Sequence, residues 1–290
     1  MGELTTQGSG DGRLVLAVDT STAALAAALV QGGEVLREVQ SLAERNHSVH
    51  TVSAVQTMLE ECGVKPEELG GLAIGRGPGS YTGMRIAVSL GKTLAWAWDK
   101  PLVGVSSLEA LAYSAWPAAS AGPDGSEADV PSGRAWIVPI MDARRGQAYT
   151  ARFAAAGAAP EGANPAADGA WTRQAPDGIR LMREWVDELA AALGAAEGPS
   201  RPDAVWLVGE LAQHEAEAGR LQALCPGVPV HALPLWLEGR AVAALGAKRL
   251  AAGERDDAHA FAPNYTQLTE AEVKLQEKQA AEGAVRDDAN

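Results

Sequence analysis

Apolar positions come in short, dense runs separated by polar turns. Leu14 to Thr20, LVLAVDT, is an unbroken apolar run closed by an aspartate, and it reads as a strand buried on both faces. Ala23 to Val30 reads as a second strand, Gly32-Gly33 as a hairpin turn, and Glu34 to Gln40 as a third strand. The polar turn between the first two, Asp19-Thr20-Ser21-Thr22, gathers a carboxylate and three hydroxyls. A helix follows, capped by Asn46 or Ser48 and stopped at Gly63, with Val49, Val52, Val55, Leu59 and Cys62 along its apolar stripe. Leu72 to Ile74 then runs into GRGPGSYTGMR, Gly75 to Arg85, and a long apolar segment, Ile86 to Trp98, leaves it. That is strand, glycine-rich turn, helix.

The second half opens the same way. After a short strand and a helix in Pro101 to Ala115, and a Pro/Ala/Gly/Asp-rich surface loop at 117–133, Ala135 to Phe153 gives an apolar strand ending on Asp142, a polar turn Ala143 to Gln147, and a second strand. Asp19 and Asp142 therefore close equivalent strands, as a duplicated βββαβα unit would leave them. A mobile loop is expected at 154–169. Ile179, Met182, Val186, Leu189 and Leu193 have helical spacing, and Ala204 to Glu210 reads as a buried strand. Glu210 falls at the carboxyl end of that strand, where open α/β sheets place ligands. A small-residue helix at 238–252 closes the pattern. The organisation expected is a disordered leader at 1–13, an N-terminal subdomain at 14–105, a C-terminal subdomain at 106–252, and a tail at 253–290 ending in a charged helix.

Two stretches carry candidate chemistry. In the glycine-rich loop, Gly75, Gly77, Gly79 and Gly83 allow positive φ and close backbone approach, and Ser80 or Thr82 can cap the following helix. Backbone N–H groups at such a helix start make an anion seat. The loop matches neither a Walker A pattern nor a dinucleotide fingerprint, and it reads equally well as a plain strand-to-helix connection. An aspartate with hydroxyls at a strand end can hold Mg²⁺ or phosphate oxygens, or it can satisfy its own backbone as an Asx turn. Asp19, Thr20, Ser21, Gly77, Gly79 and Ser80 are thus the candidate group for a phosphate-bearing ligand such as a nucleotide, with no cofactor required.

His47 and His50 stand at i and i+3 on one helix, but no acidic or thiolate third ligand lies near them, so they read as a solvated or interface pair with no metal. The helix from Thr82 to Trp98 is apolar on two faces, one for a sheet and one for a neighbouring helix in this chain or a partner. Ala87, Gly91 and Ala95 recur at i, i+4 and i+8, which lets that neighbour come close.

Composition narrows the function. A formal net charge of −13 argues against autonomous binding to nucleic acid or anionic membranes. The two cysteines, Cys62 and Cys225, have no pairing or metal spacing, which fits a reducing compartment. No apolar signal core opens the chain and no stretch is long and apolar enough to span a bilayer, so a cytoplasmic protein is expected. Peptidase chemistry finds no support: there is no HExxH, and Ser21 and Ser80 lack an identifiable His/Asp set.

Four segments together resemble the TsaB family, also called YeaZ: LAVDTSTAALAAAL at Leu16 to Leu29, GRGPGSYTGMRIAVSLGKTLA at Gly75 to Ala95, PLVGVSSLEALA at Pro101 to Ala112, and PNYTQ at Pro263 to Gln267. RGPGSYTG is the specific string. The tail departs from the family's pattern at Thr266-Gln267, and the loops at 117–133 and 154–169 look longer than in a minimal member. The resemblance implies an ASKHA fold, the actin/hexokinase/Hsp70-like duplication in two subdomains. It implies a role in forming N6-threonylcarbamoyladenosine at position 37 of tRNAs that read codons beginning with A. In that assembly a TsaD-type paralogue transfers the group, a TsaE-type ATPase joins, and the TsaB-type chain is a non-catalytic partner that meets tRNA only through the complex.

TsaD-like paralogues carry a metal-binding His-x-x-x-His after the Val-Gly-Val strand, and the corresponding positions here are Ser107 and Leu111. The resemblance also places the heterodimer interface on the two N-terminal helices, at His47, His50, Met84, Ala87, Val88, Gly91, Ala95 and Trp98. The sequence leaves open whether a homodimer forms on the same helices when the partner is absent, as an exposed apolar surface would allow. The alternative is an ATP-dependent ASKHA enzyme acting alone through the Asp19 turn.

Overall fold

The computed structural model describes residues 12–42, 47–121, 134–156 and 171–266. Strands β1 (Leu14–Asp19), β2 (Ala24–Gln31), β3 (Glu34–Leu42), β4 (Gly71–Gly75) and β5 (Leu102–Val105) form one sheet in the order β3-β2-β1-β4-β5. Strands β6 (Arg134–Asp142), β7 (Gln147–Ala156), β8 (Trp171–Leu181), β9 (Ala204–Gly209) and β10 (Val230–Pro234) form a second sheet in the order β8-β7-β6-β9-β10. The two orders are the same when β6 is laid on β1. In each sheet the first strand pairs antiparallel with the second and parallel with the fourth. This is the duplicated α/β arrangement of the ASKHA fold.

Side-chain alternation along β1 builds the layers. Leu14, Leu16 and Val18 point to one apolar cluster, with α1 (His47–Glu61) and α2 (Tyr81–Ala97); Val15 and Ala17 point to another. That second cluster is shared by both sheets, and α3 (Ser107–Ala121) and α6 (Gly239–Ala251) lie in it. The far face of the second sheet carries α4 (Met182–Ala195) and α5 (Glu215–Leu224), which meet Trp136, Val138 and Ile140. Helices therefore cover both faces of each sheet, and the strands read as unbroken apolar runs.

Three expectations need correction. Helix α6, assigned by position to the second subdomain, packs on β1, β2, β4 and β5 of the first sheet. Ile179 lies in β8 opposite Tyr149 rather than in the helix, which begins at Met182. Helix α3 extends through Ala121, into the stretch expected as loop. The leader up to residue 11, the rest of the two loops and the charged tail helix lie outside the described residues. The part of the tail that is described folds back on the first sheet: Asp256 bridges Leu102, and Phe261 is buried in the α1–α2 cluster.

Candidate functional site

The parallel strands β1, β4 and β5 end together, and the sequence places Asp19, the glycine-rich loop and Ser107 there. Asp19 Oδ1 accepts the backbone N–H and the hydroxyl of Ser21, each at 2.6 Å, and Oδ2 accepts the hydroxyl of Ser107. The Ser107 oxygen in turn accepts the N–H of Gly77 at 2.9 Å, and the Ser107 N–H donates to the Gly77 carbonyl at 2.9 Å. Thr20 donates its hydroxyl to the Gly83 carbonyl at 2.6 Å and accepts the N–H of Ala87 at 3.1 Å, so it sits on the backbone of α2. Ser80 N–H reaches the Ser21 carbonyl at 2.7 Å, and the Ser80 hydroxyl caps α2 at Gly83 N–H over 3.3 Å. A Cβ on Gly75 would overlap the Asp19 carboxylate, and one on Gly83 would overlap the Thr20 carbonyl.

The structure thus brings Asp19, Thr20, Ser21, Gly77, Gly79 and Ser80 into one cluster. All but Ser80 are buried, Asp19 to 1% exposure. Burial raises the Asp19 pKa above the ordinary carboxylate value, against the opposing pull of the Ser107 and Ser21 hydrogen bonds. The arrangement is a latch between β1, the loop and α3, with both carboxylate oxygens taken.

The second sheet has a counterpart at the end of β6. Asp142 N–H donates to Glu210 Oε2 at 2.9 Å, and His214 Nε2 lies 3.1 Å from Asp142 Oδ1. Burial pushes the Glu210 carboxyl up, with the Asp142 charge adding to it. His214 was not legible as a partner, because it lies 72 residues from Asp142 in a segment with no motif. Among the described residues no cluster of three or more His, Cys, Asp or Glu side chains could hold a metal ion.

The proposed interface residues divide sharply. Met84, Ala87, Val88, Gly91 and Ala95 are buried, and a Cβ on Gly91 would stand 2.5 Å from Ile74 Cγ1 of β4. The small-residue stripe lets α2 approach this chain's own sheet, which corrects the expectation that it receives a partner's helix. Trp98 is half-buried against the same core. Of the two histidines, His50 is exposed on α1, and the His47 side chain lies outside the described residues. The outer faces carry what remains: Trp96 is 73% exposed, and Val52 of α1 and Tyr81 are each 55% exposed.

A family model described as "TsaD: tRNA N6-adenosine threonylcarbamoyltransferase" matches residues 38–170. The tRNA threonylcarbamoyladenosine biosynthesis protein TsaB of Bacillus subtilis (strain 168) is 33% identical over 269 residues, 91% of this chain and 99% of that protein. The chain belongs to the TsaB family. TsaB of Escherichia coli (strain K12) is 33% identical over 139 residues, 48% of this chain and 54% of that protein. The solved structure of YeaZ from Pseudomonas aeruginosa shares the fold, with a TM-score of 0.60 and 23% identity over 87% of this chain and 99% of that one.

In this TsaB-family chain the two positions that the resemblance matches to a histidine pair of TsaD-like paralogues, Ser107 and Leu111, are buried within the chain. Ser107 is fully buried on Asp19, and Leu111 lies against Gly209, where a Cβ would stand 2.9 Å from its Cδ2. Among the described residues no helix is long and apolar enough to cross a membrane.

Proposed function

We propose that this chain is a non-catalytic subunit of the assembly that forms N6-threonylcarbamoyladenosine at position 37 of tRNAs reading codons that begin with A, where it binds and supports a TsaD-type transferase. Family membership supports the pathway. The observation that carries the non-catalytic part is the buried Asp19–Ser107 bond. Where a catalytic relative would hold a metal or a phosphate, this chain has a carboxylate and a hydroxyl that satisfy each other. The alternative, an ATP-dependent enzyme working through the Asp19 turn, would need a ligand to reach a carboxylate that is 1% exposed and already holds Ser21 and Ser107.

Docking of the TsaD-type partner is assigned to the outer faces of α1 and α2, where Trp96 and Val52 are exposed, and a homodimer would use the same faces. ATP turnover then belongs to the TsaE-type ATPase and the transferase, and tRNA is met through the complex, in the cytoplasm. The acidic balance of −13 supports a chain that leaves the RNA-binding surface to its partner.

Reconstitution with dropout tests the reading. The TsaD-type and TsaE-type proteins, the threonylcarbamoyl-AMP synthase, tRNA, threonine, bicarbonate and ATP are combined with and without this chain, and modified adenosine is counted. Modification should require the chain, and the chain alone should not hydrolyse ATP. Equal modification without it would overturn the assignment.

A further inference from the structure

A cavity of about 600 Å³ opens where β8 of the second sheet passes the end of β5 and the first turn of α3, with the last turn of α6 and Asn264 at its border. None of the Asp19 latch residues lines it. Val105, Trp171, Pro176 and Leu245 supply its apolar lining, Pro176 exposed and the other three largely buried. The rest of the lining is charged, and its carboxylates are spent. Glu109 accepts Trp171 Nε1 at 3.2 Å and pairs with Arg173 at 2.8 Å. Asp177 accepts the Ser106 hydroxyl at 2.7 Å and Asn264 Nδ2 at 3.3 Å, and it also pairs with Arg173. Glu254 pairs with Arg249 at 2.8 Å.

Arg76 is the exception. Its backbone is fixed, since the carbonyl accepts Asn264 N–H at 2.7 Å, and its stem lies over Gly104. Yet the guanidinium of this half-buried residue makes no hydrogen bond or ion pair among the described residues. A guanidinium presents five donors in a rigid fork that matches an oxyanion. Here it borders a cavity of small-molecule size with a partly apolar lining, at the junction of two subdomains, where ligand sites concentrate.

We propose that this cavity binds a small organic anion with a flat apolar body, of about the size of a nucleoside monophosphate. Arg76 takes the phosphate or carboxylate, and the body lies along exposed Pro176, against the parts of Val105, Trp171 and Leu245 that line the cavity. Arg76 belongs to the RGPGSYTG string and Asn264 to the PNYTQ segment, so two of the four stretches that carry the family resemblance meet at this border.

The test is calorimetric titration of the full chain with three probes: adenosine 5′-monophosphate, benzoate and adenosine. Saturable binding of either anion, weakened at least about tenfold by Arg76→Gln and absent for adenosine, is expected, and the better anion identifies the oxyanion. No saturable binding of either anion at millimolar concentration, an affinity unchanged in Arg76→Gln, or adenosine binding as well as its monophosphate would overturn the proposal. Ala252→Glu places a carboxylate at the exposed rim of the same cavity without touching the core, and should cause a like loss. It decides the matter if Arg76→Gln does not fold. Neither arm involves tRNA or the partner proteins, so failure here leaves the proposed function standing, and the reverse holds too.

Discussion

Ser107 donates its hydroxyl to Asp19 Oδ2 across 88 residues of sequence, and this bond joins the start of α3 to the end of β1. Helix α3 packs on β6, β7 and β9, so the bond ties the first sheet to a helix that belongs mostly to the second.

The latch gives stability a pH dependence. Burial raises the Asp19 pKa, so the folded state holds the proton more tightly than the unfolded chain does. The associated stabilisation is full below the ordinary value of 3.8 and is lost as pH rises through the elevated one. Asp19→Asn cannot titrate, and its amide can still meet Ser107 and Ser21. The difference in melting temperature, wild type minus Asp19→Asn, should therefore fall as pH is raised from about 4 toward neutral. A difference that is flat, or that rises, would show that Asp19 is ionised at no cost.

Close approach at α2 separates two glycines. A Cβ on Gly83 meets the backbone carbonyl of Thr20, which cannot move without the latch, whereas one on Gly91 meets the side chain of Ile74, which can repack. Gly91→Ala should cost about 1–3 kcal/mol, the usual range for overpacking, and Gly83→Ala should cost more. Denaturant melts of the two variants check the order, and Gly91→Ala being the worse of the two would refute the account.

These glycines also mark how far the sequence could be read. Unbroken apolar strands ending on Asp19 and Asp142 gave away the duplication, because a strand buried on both faces needs no alternation. The turn at Asp19 to Thr22 was legible as a cluster, but sequence could not say whether its oxygens faced a ligand or one another; that depended on Ser107, 88 residues away. The stripe of Ala87, Gly91 and Ala95 signalled close packing without naming the neighbour, which proved to be β4. Ile179 kept helical spacing with Met182 and Val186, yet pairing with Tyr149 holds it in the sheet. Helix α6 returns to the first sheet through tertiary packing that no local pattern announces.

The folded-back tail is expected to contribute stability as well as shape. Phe261 is buried to 4% exposure, with its ring over Gly104, and Tyr265 lies 5.5 Å from Tyr81 between ring centroids. Phe261→Ala should lose about 3–5 kcal/mol, as buried aromatic truncations do, and should expose residues 256–266 to protease before the sheets open. Tyr265→Ala removes a contact that is half in water and should cost far less. Equal losses from the two variants would mean that the tail is held by the tyrosine pair instead.

Partner binding should follow the outer face of α2 and spare the inner one. Trp96 is 73% exposed, while Gly91, five residues earlier on the same helix, is buried on Ile74. Trp96→Asp should leave the melting temperature nearly unchanged and weaken the complex with a TsaD-type protein by about 2 kcal/mol or more, as loss of an aromatic anchor does. Gly91→Leu should instead destabilise the isolated chain, and any loss of binding should track the loss of fold. Calorimetric titration alongside thermal melts separates the two. A Trp96→Asp chain that binds its partner with wild-type affinity would move the interface off this face, and Val52 on α1 would be the next side chain to test.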